Sequence, residues 1–347
     1  MELSQADSPH GGAGAPDGAS ATDRVPRRRL GADGPEVPVF GLGSWNTWDR
    51  MTTDEAAELV SRAVARGVDL FDVAHYNFGP HAENAVTDII FGEAVRTAGL
   101  AREDYLLCGK LWLWDYPKAS FAEQLDVSLA RVGTDRADFV VAGDHLGELD
   151  VHSVVTDVAE LVRAGRFTAW GVNNWSADDL WAARRFALAE GMVPPSFAQL
   201  KYSLARRSVP EGEPYGRLFD EAGLGLQASD VFEGGILAGK LHPQRKIGAD
   251  PGGIRERIRE SYPEVLRVAE RFGATPAQLA VAFTLTHRAA ASVLFGASSI
   301  EQFETNLGAL DLLERHGGEL REAVAGLWLD RDVVHPGASW GTDAPAR

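Results

Sequence analysis

The sequence predicts an α/β protein folded as a (β/α)8 TIM barrel, and three observations carry that prediction. Eight apolar runs of strand length alternate with amphipathic helical stretches. Strands separated by helices pair in parallel, and near-continuous apolar runs are those of strands covered on both faces. Gly67, Gly99, Gly133, Gly165, Gly191, Gly223 and Gly273 each follow a helical run and precede a strand, at intervals of 32, 34, 32, 26, 32 and 50 residues. A glycine there suits the left-handed residue that ends a helix, so each interval is one strand–helix unit, with an extra helix in the last. Finally, Gly41-Leu42-Gly43 lacks a third glycine and leads into Ser44-Trp45 rather than a helix. That weighs against a doubly wound open sheet with its dinucleotide fingerprint. Eight units close on themselves as a barrel.

Residues 1–26 are rich in Gly, Ala, Ser, Asp and Pro and are expected to form a disordered leader, because so few bulky side chains cannot offset the entropy of ordering. Arg27-Arg28-Arg29 is followed by Leu30-Gly31-Ala32-Asp33-Gly34, which is no export segment, and reads as a solvated basic turn. The barrel is expected over 27–330. Its strands are expected at Val37–Trp45, Asp69–His75, Asp104–Trp112, Ala137–Asp144, Phe167–Asn174, Ser196–Ser203, Leu224–Val231 and Ala291–Ser298. Its helices are expected at Thr53–Arg66, His81–Thr97, Phe121–Val132, Val151–Ala164, Ala177–Glu190, Gly216–Ala222, a long region 260–288, and Ile300–Leu313. Capping boxes open four of them: Thr52 with Glu55, Ser120 with Glu123, Thr275 with Gln278, and Ser299 with Gln302. Residues 331–347, punctuated by Gly, Pro and Asp, form an irregular tail.

The 347 residues carry 34 Lys+Arg against 50 Asp+Glu, a formal charge of −16, and one cysteine. The acidic balance argues against nucleic acid or an anionic membrane surface as partner. A lone Cys108 excludes a disulfide framework and any cysteine-based metal site; it sits in an apolar strand and reads as core. No metal-ligand set is read from the chain. No apolar run reaches the ~18 residues that span a bilayer, so the expectation is a reduced, cytoplasmic enzyme.

In a barrel the chemistry sits at the C-terminal ends of the strands. Those ends hold Asp72 with His75 and Tyr76, then Lys110, Asp144-His145, Asn173-Asn174, Gln199, Asp230 and Ser298-Ser299. Polar groups converging on one rim need partners. The chemistry that fits is proton transfer beside a polar cofactor. A lysine near a tyrosine lowers the phenol's pKa, and an aspartate holds the lysine. Such a tyrosine can protonate a carbonyl oxygen while a hydride arrives from a nicotinamide. Trp112, Trp114 and Tyr116 are either substrate wall or rim core, and Lys240–Gly253 reads as a long loop after the seventh strand.

These residues resemble the aldo-keto reductases over roughly Arg27–Leu313. The resemblance is carried by Gly41-Leu42-Gly43-Ser44-Trp45, Phe71-Asp72-Val73-Ala74, Gly109-Lys110-Leu111-Trp112, Gly171-Val172-Asn173-Asn174-Trp175-Ser176, Gln199 ahead of Tyr202-Ser203-Leu204, Gly235-Ile236-Leu237-Ala238-Gly239-Lys240, and Gly296-Ala297-Ser298-Ser299 with Gln302 and Asn306. The pattern is most similar to the longer-chain branch that includes the β subunits of voltage-gated potassium channels. The resemblance implies a small-molecule carbonyl reductase using NADP, with NAD possible, and an Asp, Tyr, Lys, His tetrad. Carried over, Asp72 and Lys110 match directly. Asn173, Asn174 and Gln199 match the positions that hold the nicotinamide carboxamide. Ser298, Gln302 and Asn306, with Gly296 beside them, match the adenosine phosphate end. Ser44, Trp45, Ser229, Asp230, Phe232, Gly234 and Lys240 complete the expected cofactor contacts, and His75, Trp112 and Trp114 the substrate contacts.

The departures fall on the acid and the histidine. The family's tyrosine position is Asn77, with Tyr76 before it and Phe78 after it. Either the loop shifts by one residue and Tyr76 is the acid, or Phe78-Gly79 takes the usual Tyr-Gly place and the phenol is absent. The histidine position is Gly143, leaving His145 or Asp144 to substitute. The stacking aromatic is Ser229, with Phe232 or Trp45 to replace its face. No Arg or Lys lies between Arg288 and Arg315, so a 2′-phosphate would need Lys240, Arg245 or Lys246. Two other classes stay open: a non-redox lyase, epimerase or hydrolase using Asp72, Asp144, Asp230 and Glu233, and a nicotinamide-binding regulatory protein with degenerate chemistry.

Overall fold

The structure, a computed structural model, describes residues 24–76, 85–145, 147–244 and 247–339. Eight parallel strands form the expected closed barrel: β3 (Phe40–Gly43), β4 (Leu70–Asp72), β5 (Leu106–Leu111), β6 (Phe139–Ala142), β7 (Ala169–Asn173), β8 (Phe197–Lys201), β9 (Gly225–Ser229) and β10 (Ala290–Phe295). Each pairs with the next in the chain, and β10 returns to pair with β3, Val293 opposite Phe40.

Ahead of the barrel, β1 (Arg27–Arg29) and β2 (Glu36–Pro38) make an antiparallel hairpin. The arginine run is therefore a strand and not a solvated turn. Each guanidinium has found an acceptor: Arg27 on Asp69, Arg28 on the Ala290 carbonyl at 2.7 Å, and Arg29 on the carbonyls of Ala32 and Gly34. The hairpin turn packs backbone to backbone on the N-terminal ends of the strands. A Cβ on Gly31 would stand 1.9 Å from the Ser196 carbonyl oxygen. Val25, within the expected leader, is buried and its N–H bonds to the Arg66 carbonyl at 3.0 Å.

Around the barrel lie α1 (Thr53–Ala65), α2 (Thr87–Thr97), α3 (Phe121–Val132), α4 (Val151–Arg163), α5 (Ala177–Ala189), α6 (Glu213–Glu221), α7 (Arg255–Glu260), α8 (Tyr262–Arg271), α9 (Pro276–Leu285), α10 (Ile300–Leu307) and α11 (Ala309–Ala323). All seven closing glycines have positive φ, from 63° to 84°, the conformation glycine adopts without a Cβ penalty. The capping boxes at Thr52, Ser120 and Thr275 form. At Ser299 only half of one does: its hydroxyl accepts from the Gln302 N–H, while the Gln302 carbonyl turns back to Ser298. The long helical region 260–288 resolves into α8 and α9, because Gly273 stops α8 and Thr275 starts α9, and α7 precedes it. The tail begins anchored: the buried Asp330 carboxylate accepts from the N–H groups of Arg207 and Ser208.

Strand alternation places the site. Residues two apart share a face, so Leu70, Cys108, Phe139, Ala169 and Phe197, which cluster inside the barrel, have Asp72, Lys110, Val141, Gly171 and Gln199 as the next inward positions. Cys108 is buried in that apolar layer, where burial pushes its thiol well above the ordinary range, as expected of core. Among the described residues no helix is long and apolar enough to cross a membrane.

Candidate active site

A cleft opens at the C-terminal ends of the strands, lined on one side by Trp45, Asp72, Tyr76, Lys110, Trp112 and Asp144, and on the other by Asn173, Asn174, Gln199, Lys201, Ser229 and Asp230, with Phe232, Gly234 and Gly296 at its edge. At its base the Lys110 ammonium donates to both Asp72 oxygens, at 2.8 and 3.1 Å. Gln199 Nε2 donates to Asp72 Oδ2 at 2.7 Å and to Gln227 Oε1 at 2.8 Å. Asn173 Nδ2 in turn donates to Gln199 Oε1 at 3.2 Å. All of these side chains but Asn173 are buried.

Burial alone would lower the Lys110 pKa, but the Asp72 charge and hydrogen bond, together with Tyr76 and Cys108, outweigh it and lift the pKa above the ordinary lysine value. The lysine is thus a fixed cation.

Tyr76 is 5 % exposed and packs edge-on against Trp112, ring centroids 5.6 Å apart, with Trp45 tilted against its other side at 6.4 Å. The Lys110 ammonium lies 6.0 Å from the phenol ring centre. Desolvation pushes the Tyr76 pKa up to about 12; Lys110 pulls it down, Asp72 pushes it up, and the nearby Ser44 hydroxyl pulls it down. The sequence argument expected the lysine to dominate. In the structure, burial outweighs it, and Tyr76 stays a neutral O–H donor at physiological pH. Asn77 and Phe78, its rivals for the family tyrosine place, lie outside the described residues, as do Arg245 and Lys246.

Other expected residues sort by where their side chains go. Trp112 is clamped by Gln124, whose amide accepts from the Trp112 N–H and donates to its carbonyl, at 2.7 and 3.0 Å. Trp114 packs behind, against Ala74, Tyr76 and Trp112. Asn174 holds a left-handed backbone (φ +53°), its N–H on the Gln199 carbonyl and its Oδ1 on the Lys201 N–H. A non-glycine residue held there is strained, and the surrounding bonds fix its side chain at the cleft. Ser229 and Gly43 leave the floor flat: a Cβ on Gly43 would meet nothing nearer than the Phe295 carbonyl oxygen at 4.0 Å.

Two histidines are not brought to the cleft. His145 Nδ1 lies 3.0 Å from the Gly147 carbonyl oxygen, Nε2 lies 3.7 Å from Asp179, and the ring meets Trp175 edge-on. At the Gly143 position there is no room for a histidine without movement, since a Cβ would stand 3.2 Å from the Trp112 ring. It is Asp144 that lines the cleft. His75 faces Asp88 at 3.5 Å, and burial and Arg131 together lower its pKa. Ser298, Gln302 and Asn306 stand at the top of β10 and along α10, Ser298 bonded to Gln302. Lys240 is exposed and lies along Gly235.

Sequence reasoning missed Lys201, Arg206 and Gln227. Lys201 pairs with Asp230 at 2.8 Å and donates to the Ala249 carbonyl at 2.7 Å. Arg206, fully buried, donates to Glu233 at 2.9 Å, to the Pro251 carbonyl at 2.6 Å, and to Asp250. Together they tie segment 247–251 beside the cleft, with Gly248 close to the Trp45 ring. Burial opposes the charge on Asp230, but Lys201, the Gly234 N–H and Arg206 together hold its pKa below the usual range, whereas burial wins at Glu233 and raises its pKa. The odd-numbered positions of β8 and β9 were the available signal for Lys201 and Gln227.

A closed parallel barrel with a buried Lys–Asp pair beside a phenol at its C-terminal rim has the frame of an oxidoreductase. The chain belongs to the aldo/keto reductase family, whose sequence model matches residues 39–317. Its fold is similar to that of the thermostable aldo-keto reductase Tm1743, solved with the inhibitor epalrestat, with a TM-score of 0.66 and 22 % identity over 86 % of this chain and all of that one.

Proposed function

We propose that this protein is an NAD(P)H-dependent reductase of a small aldehyde or ketone, sugar-like metabolites included. The observation that carries this reading is the Tyr76–Lys110–Asp72 group at the floor of the cleft. The residues present suit a nicotinamide: three side-chain amides, Asn173, Asn174 and Gln199, stand on one wall, and Gly43 and Ser229 leave a flat floor. When bound, the reduced cofactor would supply the hydride. Tyr76, neutral and desolvated, donates its O–H proton to the substrate oxygen as the alkoxide forms. The Lys110 ammonium, held by Asp72, stabilises the phenolate left behind. Trp45 and Trp112 shape the substrate side and exclude water. Ser298, Gln302, Asn306 and Lys240 are assigned to the adenosine phosphate end, and NADP is preferred over NAD on the family's habit. A cytoplasmic setting agrees with the single buried thiol of Cys108.

Three of the four carboxylates named for a non-redox acid–base mechanism offer it little, leaving Asp144 at the cleft. Asp72 is neutralised by Lys110, Asp230 by Lys201, and Glu233 by Arg206. Titration with NADPH and NADH by fluorescence, followed by oxidation assays with a panel of aldehydes, tests the proposal. Tyr76→Phe is expected to slow reduction by about 10²–10⁴-fold with cofactor affinity nearly unchanged. No binding of either dinucleotide refutes the reading, binding without turnover converts it to a regulatory role, and full activity in Tyr76→Phe removes this tyrosine as the acid.

A further inference from the structure

A second pocket lies at the end of the barrel opposite the cleft, where the N-terminal hairpin meets the first residues of β9 and β10. Its volume is about 420 Å³. Arg28 and Gly31 of the hairpin form one wall, Phe219 and Gly225 a second, and Arg288 and Ala291 a third. Arg29 lines it as well. Three arginines thus border one hollow in a chain whose formal charge is −16.

Arg28 sets the electrostatics of this hollow. Its side chain is half-buried, and its hydrogen-bond partner among the described residues is the Ala290 carbonyl oxygen, 2.7 Å from Nη1. A guanidinium carries five N–H donors, so most of the fork is unspent. Burial lowers the Arg28 pKa, with no carboxylate to oppose it. The acids of the surrounding elements are taken elsewhere: Asp33 by Arg184, Asp69 by Arg27, Asp220 by Arg288 and Glu221 by Arg217. Arg29 spends Nη1 on the carbonyls of Ala32 and Gly34 and meets no carboxylate among the described residues either. Glu36, its partner across the hairpin, is exposed and joins no ion pair among the described residues. Two of the three guanidiniums therefore carry charge that no side chain offsets.

A planar guanidinium pairs with the oxygens of carboxylates and phosphates alike. Charge separates the two. A phosphomonoester carries about −1.5 to −2 at pH 7, which two uncompensated guanidiniums match, whereas a carboxylate leaves one of them over. We propose that this pocket binds the phosphoryl group of inorganic phosphate or of a small phosphomonoester, with Arg28 as its anchor. The glycine and alanine walls leave space beyond the phosphoryl group for a few carbons of an ester. The bound dianion would tie the hairpin to the starts of β9 and β10. The inference is independent of the nicotinamide reading, since the site lies at the other end of the barrel.

The probes are glycerol 3-phosphate, inorganic phosphate and acetate, titrated by calorimetry at low ionic strength, where exposed charge is least screened. The proteins are the wild type, Arg28→Gln and Asp220→Asn, each checked for native melting. The wild type is expected to bind the phosphate probes more tightly than acetate. Arg28→Gln keeps a donor for the Ala290 carbonyl and is expected to weaken them by about tenfold or more, the worth of a charge-assisted hydrogen bond. Asp220→Asn frees Arg288 from an exposed ion pair and is expected to tighten them by about threefold. Equal affinity for the two phosphate probes names the free ion as occupant and a tighter ester names the phosphomonoester; either upholds the site. Undiminished binding in Arg28→Gln places the phosphoryl group elsewhere on the chain, the adenosine phosphate end of the cleft included, and overturns the inference. Acetate bound as tightly as the phosphate probes, or no phosphate binding at all, also overturns it. If Arg28→Gln melts early, Asp220→Asn decides by itself, and unchanged or weaker affinity there refutes the site.

Discussion

Asp72→Asn replaces one carboxylate oxygen by an amino group and removes the only charge among the described residues that faces the Lys110 ammonium at hydrogen-bond distance. The ammonium and carboxylate are 2.8 Å apart and both side chains are nearly inaccessible, at 8 % and 4 %. With an effective dielectric of about 20, two unit charges at that distance attract by about 6 kcal/mol. The asparagine keeps an acceptor for Lys110 and presents an NH2 either to the lysine or to Gln199, both of them donors. Not all the attraction is lost from stability, because Lys110, no longer held charged, can shed its proton under the pull of burial. The expected net cost is that of breaking a buried pair, about 3–5 kcal/mol. Lys110→Met leaves the buried carboxylate without its cation, with Gln199 still donating to it, and is expected to cost a similar amount. The double variant strands neither charge, so its loss is expected to fall short of the sum of the singles by about 3 kcal/mol. Urea unfolding of the four proteins at pH 7.5, followed by tryptophan fluorescence, measures this cycle. Additivity within about 0.5 kcal/mol, the usual behaviour of independent sites, refutes the argument that the two charges hold each other in place.

Arg206→Met leaves Glu233 buried without its cation and releases Asp250 and the Pro251 carbonyl. We expect a loss of about 3–5 kcal/mol in urea unfolding and faster proteolytic cleavage near residues 247–253; unchanged cleavage would show that Arg206 does not hold that segment. His287 accepts from the Ala289 N–H at Nδ1 and faces the Pro210 carbonyl with Nε2, and burial lowers its pKa. The unfolded chain therefore binds the proton more readily, and the stability this neutral ring contributes is present above about pH 6.5 and is lost as the pH falls below it. Melting temperatures between pH 7.5 and 5 are expected to drop more steeply in the wild type than in His287→Gln, and parallel curves would refute the assignment.

The parts of this molecule written in short-range chemistry were legible. A glycine that ends a helix and a threonine that starts one act within four residues, which is why Gly67, Gly133, Thr52 and Thr275 could be placed from sequence. Asp72 and Lys110 were legible because a charged residue ending an apolar strand has few other uses. Partner choice was not. Whether His145 faces the cleft or Asp179 depends on the path of the chain after β6. Whether Lys110 or burial decides the state of Tyr76 depends on how closely Trp45 and Trp112 enclose it. Gln227 was not singled out, and only the register of β8 against β9, which sets Gln199 beside Gln227, shows that its Oε1 accepts from that neighbour.

The pairing of β10 with β3 has a consequence for how the chain is made. The strand that opens the barrel leaves the ribosome about 250 residues before the strand that covers its free edge. At about 5–20 residues per second, that edge waits for some ten to fifty seconds. An unpaired parallel edge is a template for pairing with another chain. For the last 60 or so residues of that wait, about 3–12 seconds, seven strands are complete and no barrel exists. The bonds from Gln199 to Asp72 and Gln227, which join β8 to β4 and β9, cannot all form until about two thirds of the chain has been synthesised. The site at the rim is among the last parts of the protein to come into being, and crowding or slow translation late in the message would act first on its yield.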